Sequence, residues 1–276
     1  MHTLATIRKC AVCICPPFLK APILLLKWTF DCFVNMDYEK IVTPNIIYWI
    51  HYRKDVKSQR IINRVLLFMC GIGIGPITYR FLLQHFHTIF DMIIMVEIKW
   101  ISFHLRAYPV EDRVLIGDIC CFIPTFLQRF KSNAQMDIMA HSGGALYFRR
   151  LLELLPFENK ILIEPACFLS GCSAATKQIY TYYTLNPLFL DPLVKNLPKL
   201  LDITETVILS STKLDKTIVI LSAEDTLFQP AHIMAFIEKY HPHVKTFVLP
   251  KSSHGDAVLK YTLQTALIIK KYLGYD

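Results

Sequence analysis

Residues 135–147 have the sequence Gln-Met-Asp-Ile-Met-Ala-His-Ser-Gly-Gly-Ala-Leu-Tyr. A mostly apolar, strand-like run ends just before Ser142, and apolar residues at helical spacing follow it. Small residues stand two positions before and two positions after the serine, at Ala140 and Gly144. This order of strand, serine and helix predicts a tight turn that projects the Ser142 hydroxyl above the edge of a sheet. Small neighbours are needed because the backbones of the strand and the helix approach each other closely there.

Strand-like and helical segments alternate along most of the chain. A serine pattern this short also occurs in ordinary strand-to-helix connections, so its meaning depends on the segments around it. Apolar and β-branched runs predict one strand that ends before Ser142 and others at residues 64–69, 91–96, 160–163, 217–221 and 245–249. Helical spacing predicts a helix capped by Asp112, another at residues 230–240 and a terminal helix through Ile268. The alternation predicts an α/β fold with a mostly parallel sheet and helices on both faces.

A glycine-rich loop, Cys-Gly-Ile-Gly-Ile-Gly-Pro at residues 70–76, follows the strand predicted at 64–69. One interpretation is dinucleotide binding, for which Glu97 would be the ribose-binding acid, but Pro76 replaces the third glycine of the G-x-G-x-x-G pattern. A second interpretation is an oxyanion hole, which needs a backbone N–H group exposed after the strand, from Ile72 or Gly73. The third is a tight turn that binds nothing.

Three residues with complementary chemistry each follow a predicted strand: Ser142, Asp225 and His254. A serine nucleophile needs a base that takes its proton and a carboxylate that orients the base. Because parallel strands bring their carboxyl ends to one edge of a sheet, we expect these three side chains to meet.

Other carboxylates and imidazoles compete for these roles. Asp202 lies in a long insertion, Asp256 lies two residues after the candidate base, and Glu224 is expected to point away from its neighbour Asp225. Asp225 is favoured because it alone lies directly behind a strand with a helix to follow. The remaining histidines, His141 among them, are expected to pack or to lie on the surface, and none forms a metal-binding pattern with carboxylates.

With these motifs in order, the chain resembles the α/β-hydrolase fold superfamily over residues 64–273. Three motifs carry the likeness: a nucleophile elbow at residues 140–144, an acid loop at 222–225 and a histidine loop at 253–255. Residues 71–75 and 163–169 also resemble a group of uncharacterised fungal and protist members with hydrophobic N-terminal extensions.

The resemblance implies a role for each motif. It makes Ser142 the nucleophile, His254 the base, Asp225 the orienting acid, and the N–H groups of Gly143 and Ile72 the oxyanion hole, with Gly73 as the other candidate donor in the glycine loop. Two positions depart from the pattern: many members have His-Gly where this chain has Cys70 and Gly71, and Ala140 replaces the first glycine of the elbow. Both changes keep the backbone donors that the reaction needs.

Two segments lie outside the alternating pattern. Residues 1–60 are a hydrophobic and basic N-terminal extension, in which prolines, lysines and an aspartate interrupt the apolar residues of 10–34. This interruption predicts an in-plane or hairpin membrane anchor, or a segment that packs over the domain surface, in preference to a membrane span. Residues 61–276 are the predicted hydrolase domain. Its insertion at about 165–213 predicts a helical cap, either a lid over the site or ordinary covering helices.

Composition narrows the partners and the compartment. The net charge of +8 is dispersed, without the basic and aromatic face of a single-strand binder, so we expect no nucleic-acid partner. An anionic membrane surface suits the charge equally well. Nine cysteines, most of them in apolar runs, indicate buried free thiols in a reducing compartment, and hence an intracellular protein. The apolar segment 10–34 and the basic charge predict that it is also membrane-associated. We expect no cofactor and no metal, since Cys10, Cys13 and Cys15 have only part of a zinc pattern.

These patterns together predict a serine hydrolase that cleaves a carboxylic ester through a Ser-His-Asp triad and an acyl-enzyme, with lipid esters among the candidate substrates. The alternative is a catalytically silent α/β-hydrolase scaffold that serves as a membrane-associated binding protein. One distance separates the two hypotheses: a Ser142 hydroxyl beyond hydrogen-bond reach of His254 would favour the silent scaffold.

Overall fold

The computed structural model describes residues 25, 28–29, 31–35, 37–56, 60–73, 75–102, 110–168 and 214–275. The strands are β1 (Glu39–Val42), β2 (Ile46–Tyr52), β3 (Ile61–Met69), β4 (Met92–Ile98), β5 (Lys131–His141), β6 (Phe157–Ile163), β7 (Thr217–Ser222) and β8 (Lys245–Leu249). The α-helices of the described residues that carry the argument are α1 (Arg80–Gln84), α2 (Asp112–Leu127), α3 (Phe148–Leu154), α4 (Pro230–Tyr240), α5 (Asp256–Leu259) and α6 (Thr262–Leu273). Short 3-10 segments lie at Pro76–Tyr79, Lys99–Ile101, Ser142–Tyr147 and Ala166–Phe168.

The strands form one eight-stranded sheet in the order β1-β2-β4-β3-β5-β6-β7-β8. All pairs from β4 to β8 are parallel, whereas β1 and β2 add an antiparallel edge. Successive residues of β3 face opposite sides: Leu67 belongs to a core with residues of α2, α3 and α4, and Phe68 to a core with residues of α1, α5 and α6. The predicted fold class, a mostly parallel sheet with helices on both faces, is confirmed. The carboxyl ends of β3 and of β5 to β8 therefore share one edge.

The sheet begins earlier in the chain than the sequence analysis places it. Residue 61 is the predicted start of the domain, yet β1 and β2 belong to the same sheet, and every residue of β2 pairs with β4. The β2 sequence, Ile-Ile-Tyr-Trp-Ile-His-Tyr, is apolar or aromatic at nearly every position, which suits a strand covered on both faces. The polar and aromatic composition of residues 37–60 as a whole predicts either a helix or edge structure there, and the structure has the antiparallel strands β1 and β2.

Other element boundaries differ by a few residues. Strand β3 starts at Ile61, three residues before the predicted start. Asp112 is the first residue of α2 and Glu111 is its N-cap residue, so Asp112 lies one position inside the helix. The predicted terminal helix is divided into α5 and α6. The helix predicted at 230–240 and the strand predicted at 245–249 have the predicted bounds.

The predicted cap and the predicted anchor lie mainly outside the described residues. Residues 169–213 of the insertion and residues 1–24 of the extension are in this group. Within the described ranges, no helix combines the length and the apolar character that crossing a membrane requires. Leu25 and Trp28, from the end of the predicted anchor, are 63% and 65% exposed. Binding of residues 10–34 to a membrane surface stays a prediction.

A stacked pair of histidines joins β2 to the turn after α1. The rings of His51 and His87 lie 3.6 Å apart and nearly parallel, and the Tyr38 hydroxyl lies 3.0 Å from Nε2 of His87. Arg80 forms an ion pair with Asp37 beside them. Burial lowers the pKa of His87, and His51 and Arg80 lower it further against the opposing charge of Asp37, so that it falls from 6.5 to about 4.

We expect this pair to make folding sensitive to mild acid. Because the folded state lowers the pKa of His87, the unfolded chain binds the proton first, and stability present above pH 6.5 is lost as the pH falls towards 4. His87→Gln should reduce the loss of unfolding free energy between about pH 7.5 and about pH 5 by about 1 kcal/mol, a value discounted for solvent screening. Urea denaturation at both pH values measures this, with His85→Gln as a control on the same turn. Equal pH dependence in wild type and His87→Gln would contradict it.

Candidate active site

Ser142 lies at the turn between β5 and the 3-10 segment that follows it. Its φ of 48° is in the left-handed region, which is uncommon for residues other than glycine. The turn is held by packing, since Ser142 and the next five residues are all buried. This backbone directs the Ser142 Oγ to a point 2.9 Å from Nε2 of His254, which is hydrogen-bond distance.

Close backbone contact around the turn requires glycine at two positions. A Cβ on Gly144 would lie 2.4 Å from the carbonyl oxygen of Met69 and 2.7 Å from that of Cys70. A Cβ on Gly71 would lie 2.9 Å from the carbonyl oxygen of His141. The predicted need for a small residue at Gly144 is confirmed, and the end of β3 is the neighbour that imposes it.

His254 lies in the loop between β8 and α5, and Asp225 lies in the loop after β7. Nδ1 of His254 is 2.8 Å from Oδ2 of Asp225. The second oxygen of this carboxylate, Oδ1, accepts hydrogen bonds from the backbone N–H groups of Leu227 and Phe228, at 2.8 Å and 2.9 Å. The carboxylate is thus fixed by its own loop while it binds the imidazole. The rings of Phe228 and His254 also pack in a T-shaped arrangement, with 5.0 Å between centroids.

Opposing effects act on the protonation of His254. Burial lowers its pKa, whereas the hydrogen bond and charge of Asp225 and the charge of Glu164 raise it, and the raising effects prevail. The Asp225 side chain is only 2% exposed, so water screens its charge weakly. Nε2 of His254 is therefore disposed to accept a proton from the hydroxyl that it contacts.

The glycine loop after β3 lies beside Gly143. A Cβ on Gly143 would lie 2.9 Å from Cγ1 of Ile72 and 3.6 Å from the backbone nitrogen of Ile72, so these two predicted donors are neighbours. Gly73 differs, because its N–H group donates to the carbonyl oxygen of Ile101 at 3.1 Å. We therefore remove Gly73 from the candidate oxyanion hole and keep Gly143 and Ile72.

Sequence reasoning missed a buried carboxylate beside the candidate triad. Glu164 directly follows β6 and is fully buried, and its Oε2 lies 3.0 Å from Nε2 of His141. His141, expected only to pack, also lies 3.0 Å from the Tyr79 hydroxyl through Nδ1. Glu164 meets the first half of the rule that selected Asp225, an acid behind a strand, but a long insertion follows it where the rule required a helix.

The other candidate acids that the structure describes have contacts or exposure that differ from those of Asp225. Oδ2 of Asp256 accepts a hydrogen bond from the backbone N–H group of Ser253 at 2.9 Å. Glu224 is exposed. Glu97, the acid of the dinucleotide interpretation, is fully buried and accepts a hydrogen bond from Nε1 of Trp49 at 2.8 Å. This contact joins β4 to β2 inside the sheet, which does not suit a residue that binds a ribose. Asp202 lies outside the described residues.

Three side chains of the candidate site could also bind a metal ion. His141, Glu164 and His254 each bring one ligand atom within 4.8 Å of the others. In the structure those atoms have hydrogen-bond partners: His141 contacts Glu164, and the two ring nitrogens of His254 contact Ser142 and Asp225. A metal bound to His254 would break one of its two contacts, so the donor set suits proton transfer better than metal binding.

Comparison with known proteins identifies the fold. No protein-family model and no curated protein sequence matches the chain. Solved structures do match it, at low sequence identity. An esterase from Pyrococcus furiosus aligns with a TM-score of 0.62 and 13% identity over 88% of this chain and 91% of that chain. An alpha/beta hydrolase enzyme from the metagenome of lagoon sediments in Morocco aligns with a TM-score of 0.56 and 13% identity over 86% and 98%.

The carboxylesterase CesB from Bacillus subtilis is a third match, with a TM-score of 0.59 and 10% identity over 91% of this chain and 99% of that chain. Identities this low are evidence for a shared fold and leave the function to be argued from the site. The chain has the α/β-hydrolase fold.

The contact at Gly144 gives a stability prediction. Gly144→Ala should lower the unfolding free energy by about 2 to 4 kcal/mol, because the new Cβ meets two backbone carbonyls that cannot move independently of β3. Gly117→Ala is the matched control. A Cβ at Gly117, which is exposed in α2, would have no atom within 4 Å apart from its chain neighbours and the backbone of its own helix, so alanine should stabilise the helix by about 0.5 to 1 kcal/mol. Urea denaturation of both variants measures the difference, and equal effects would contradict the assigned contact.

Proposed function

We propose that the protein is a serine hydrolase that cleaves carboxylic esters through an acyl-enzyme on Ser142. The observation that carries the proposal is the continuous hydrogen-bonded series from Ser142 to His254 to Asp225, at 2.9 Å and 2.8 Å. A nucleophile, its base and the group that orients the base are the three parts that this chemistry needs. Esterases among the structures with the same fold support the choice of an ester.

The first half of the reaction acylates the enzyme. Ser142 Oγ attacks the carbonyl carbon of the ester while Nε2 of His254 takes the hydroxyl proton. The carbonyl oxygen becomes an oxyanion, which the N–H groups of Gly143 and Ile72 would stabilise. The bond from carbon to the leaving alcohol then breaks, and His254 returns its proton to that alcohol oxygen. The acyl group remains on Ser142 as an ester.

The second half restores the serine. His254 takes a proton from a water molecule, and the hydroxide that forms attacks the acyl carbon. The bond to Ser142 Oγ breaks, the oxygen recovers a proton from His254, and a carboxylic acid leaves. Asp225 holds Nδ1 of His254 and stabilises the imidazolium that exists between these transfers.

The distance between Ser142 and His254 argues against the alternative hypothesis of a catalytically silent scaffold. It called for a Ser142 hydroxyl out of reach of His254, whereas the two groups lie 2.9 Å apart. A scaffold also has no need for Ser142 to adopt a left-handed backbone, a conformation that costs free energy and is typical of functional turns.

A fluorophosphonate probe tests the proposal, because it reacts with a serine only where a base activates the hydroxyl. We expect wild type to be labelled on Ser142 and Ser142→Ala to remain unlabelled. Hydrolysis of p-nitrophenyl butyrate should fall by about 10³-fold or more in Ser142→Ala and in His254→Ala.

Ser253→Ala is the matched control, since Ser253 is exposed and lies next to His254. It should be labelled like wild type. The hydrolase proposal would be wrong if wild type resisted the probe and did not hydrolyse the ester, or if Ser142→Ala were still labelled.

A further inference from the structure

Glu164 accepts hydrogen bonds from three segments of the site. Its Oε2 accepts a hydrogen bond from Nε2 of His141, the residue before Ser142. The same oxygen accepts a hydrogen bond from the N–H group of Gly255, the residue after His254, at 2.6 Å. Its Oε1 accepts from the hydroxyl of Ser222, at the end of β7, and from the N–H group of Ala257 at 3.5 Å. One carboxylate therefore joins the loops that carry Ser142, His254 and Asp225.

The backbone conformation of Glu164 is uncommon for a residue other than glycine. Its φ of 45° is left-handed, like that of Ser142. The other described non-glycine residues with a positive φ, Arg60, Lys216 and Lys251, lie just before strands or in the turn after β8 and are exposed or partly exposed. Strained backbone at a buried residue persists where surrounding contacts determine it, and it is concentrated at functional sites.

A second series of hydrogen bonds runs from Glu164 to the glycine loop. The N–H group of Gly71 donates to the Tyr79 hydroxyl at 2.8 Å, so the Tyr79 hydrogen is free to point at Nδ1 of His141. His141 must then carry its proton on Nε2, which donates it to Glu164. Only neutral His141 satisfies every member of the series, and burial lowers the pKa of His141 despite the opposing effect of Glu164.

We propose that Glu164 is a positioning residue for ester hydrolysis. Its carboxylate fixes the base loop against the turn of Ser142 and, through His141 and Tyr79, fixes Gly71 beside the Ile72 donor. The inference rests on the proposed hydrolase function. It adds a second buried carboxylate to the site, beside the one that binds the base directly.

The charge of Glu164 should also act on His254. Oε2 of Glu164 lies 3.9 Å from Nδ1 of His254, and Asp225 faces the same nitrogen at 2.8 Å. Among the residues that the structure describes, His141 also faces this imidazole, with 5.6 Å between the ring centroids. Removing the negative charge of Glu164 should therefore lower the pKa of His254, because one of the two carboxylates that stabilise its protonated form is lost.

The test compares wild type with Glu164→Gln in the full-length protein. NMR titration of the Cε1–H resonance of His254, assigned with His254→Gln, should show a lower pKa in Glu164→Gln. The acid limb of kcat/KM for p-nitrophenyl butyrate should move to lower pH with it, while kcat falls about tenfold or more and KM changes less than about twofold.

Glu158→Gln is the matched control, because it removes the same charge from the exposed start of β6, where Glu158 pairs with Lys216. It should leave both titrations as in wild type. The proposal is overturned if Glu164→Gln has the titration and the kcat of wild type. An inactive wild type would refute the hydrolase function alone, since the NMR titration requires no turnover.

Tyr79→Phe decides the inference where Glu164→Gln does not fold. It keeps every charge but removes the hydroxyl between Gly71 and His141. We expect kcat to fall about tenfold with an unchanged acid limb and an unchanged KM. Full activity in Tyr79→Phe would show that the series from Glu164 to the glycine loop positions nothing.

Discussion

The carbonyl oxygens of Met69 and Cys70 lie 2.4 Å and 2.7 Å from the place where a side chain on Gly144 would begin. The turn after β5 can therefore lie against the end of β3 only because residue 144 has no Cβ. Neighbouring parallel strands bring these two ends together. Once they are in contact, Gly143 lies beside Ile72, and Ser142 is raised to where the loops after β7 and β8 can reach it.

Buried charge is the second condition on this site. The side chain of Asp225 is 2% exposed and that of Glu164 is not exposed at all, so each carboxylate has lost most of its hydration. Backbone N–H groups replace the water: two bind Asp225, and those of Gly255 and Ala257 bind Glu164. Burial raises the pKa of Glu164, but contacts with His141, His254 and Ser222 outweigh it and hold the pKa at about 2. The loops that carry Asp225 and His254 are thereby held by hydrogen bonds to buried carboxylates.

The sequence predicted those parts of the site whose position follows from strand order. Ser142, Asp225 and His254 each follow a strand-like run within a few residues, and parallel strands must bring such residues to one edge. The sequence left residues 37–60 open between a helix and edge structure, because the antiparallel strands β1 and β2 lie outside the βαβ rhythm and the histidine and tyrosines of β2 resemble surface residues. The roles of Gly73 and His141 could not be read from the chain. They depend on whether a particular N–H group or ring nitrogen meets Ile101 or Glu164, which only three-dimensional contacts decide.

In the proposed reaction, Ser142 attacks a carbonyl whose oxygen accepts hydrogen bonds from the N–H groups of Gly143 and Ile72. A crystal structure of the protein after reaction with a fluorophosphonate tests that geometry most directly, because the phosphonyl oxygen stands in for the oxyanion. We predict a covalent bond from phosphorus to Ser142 Oγ, with the phosphonyl oxygen within hydrogen-bond distance of both N–H groups. An unmodified Ser142, or an adduct whose oxygen faces neither Gly143 nor Ile72, would contradict the account.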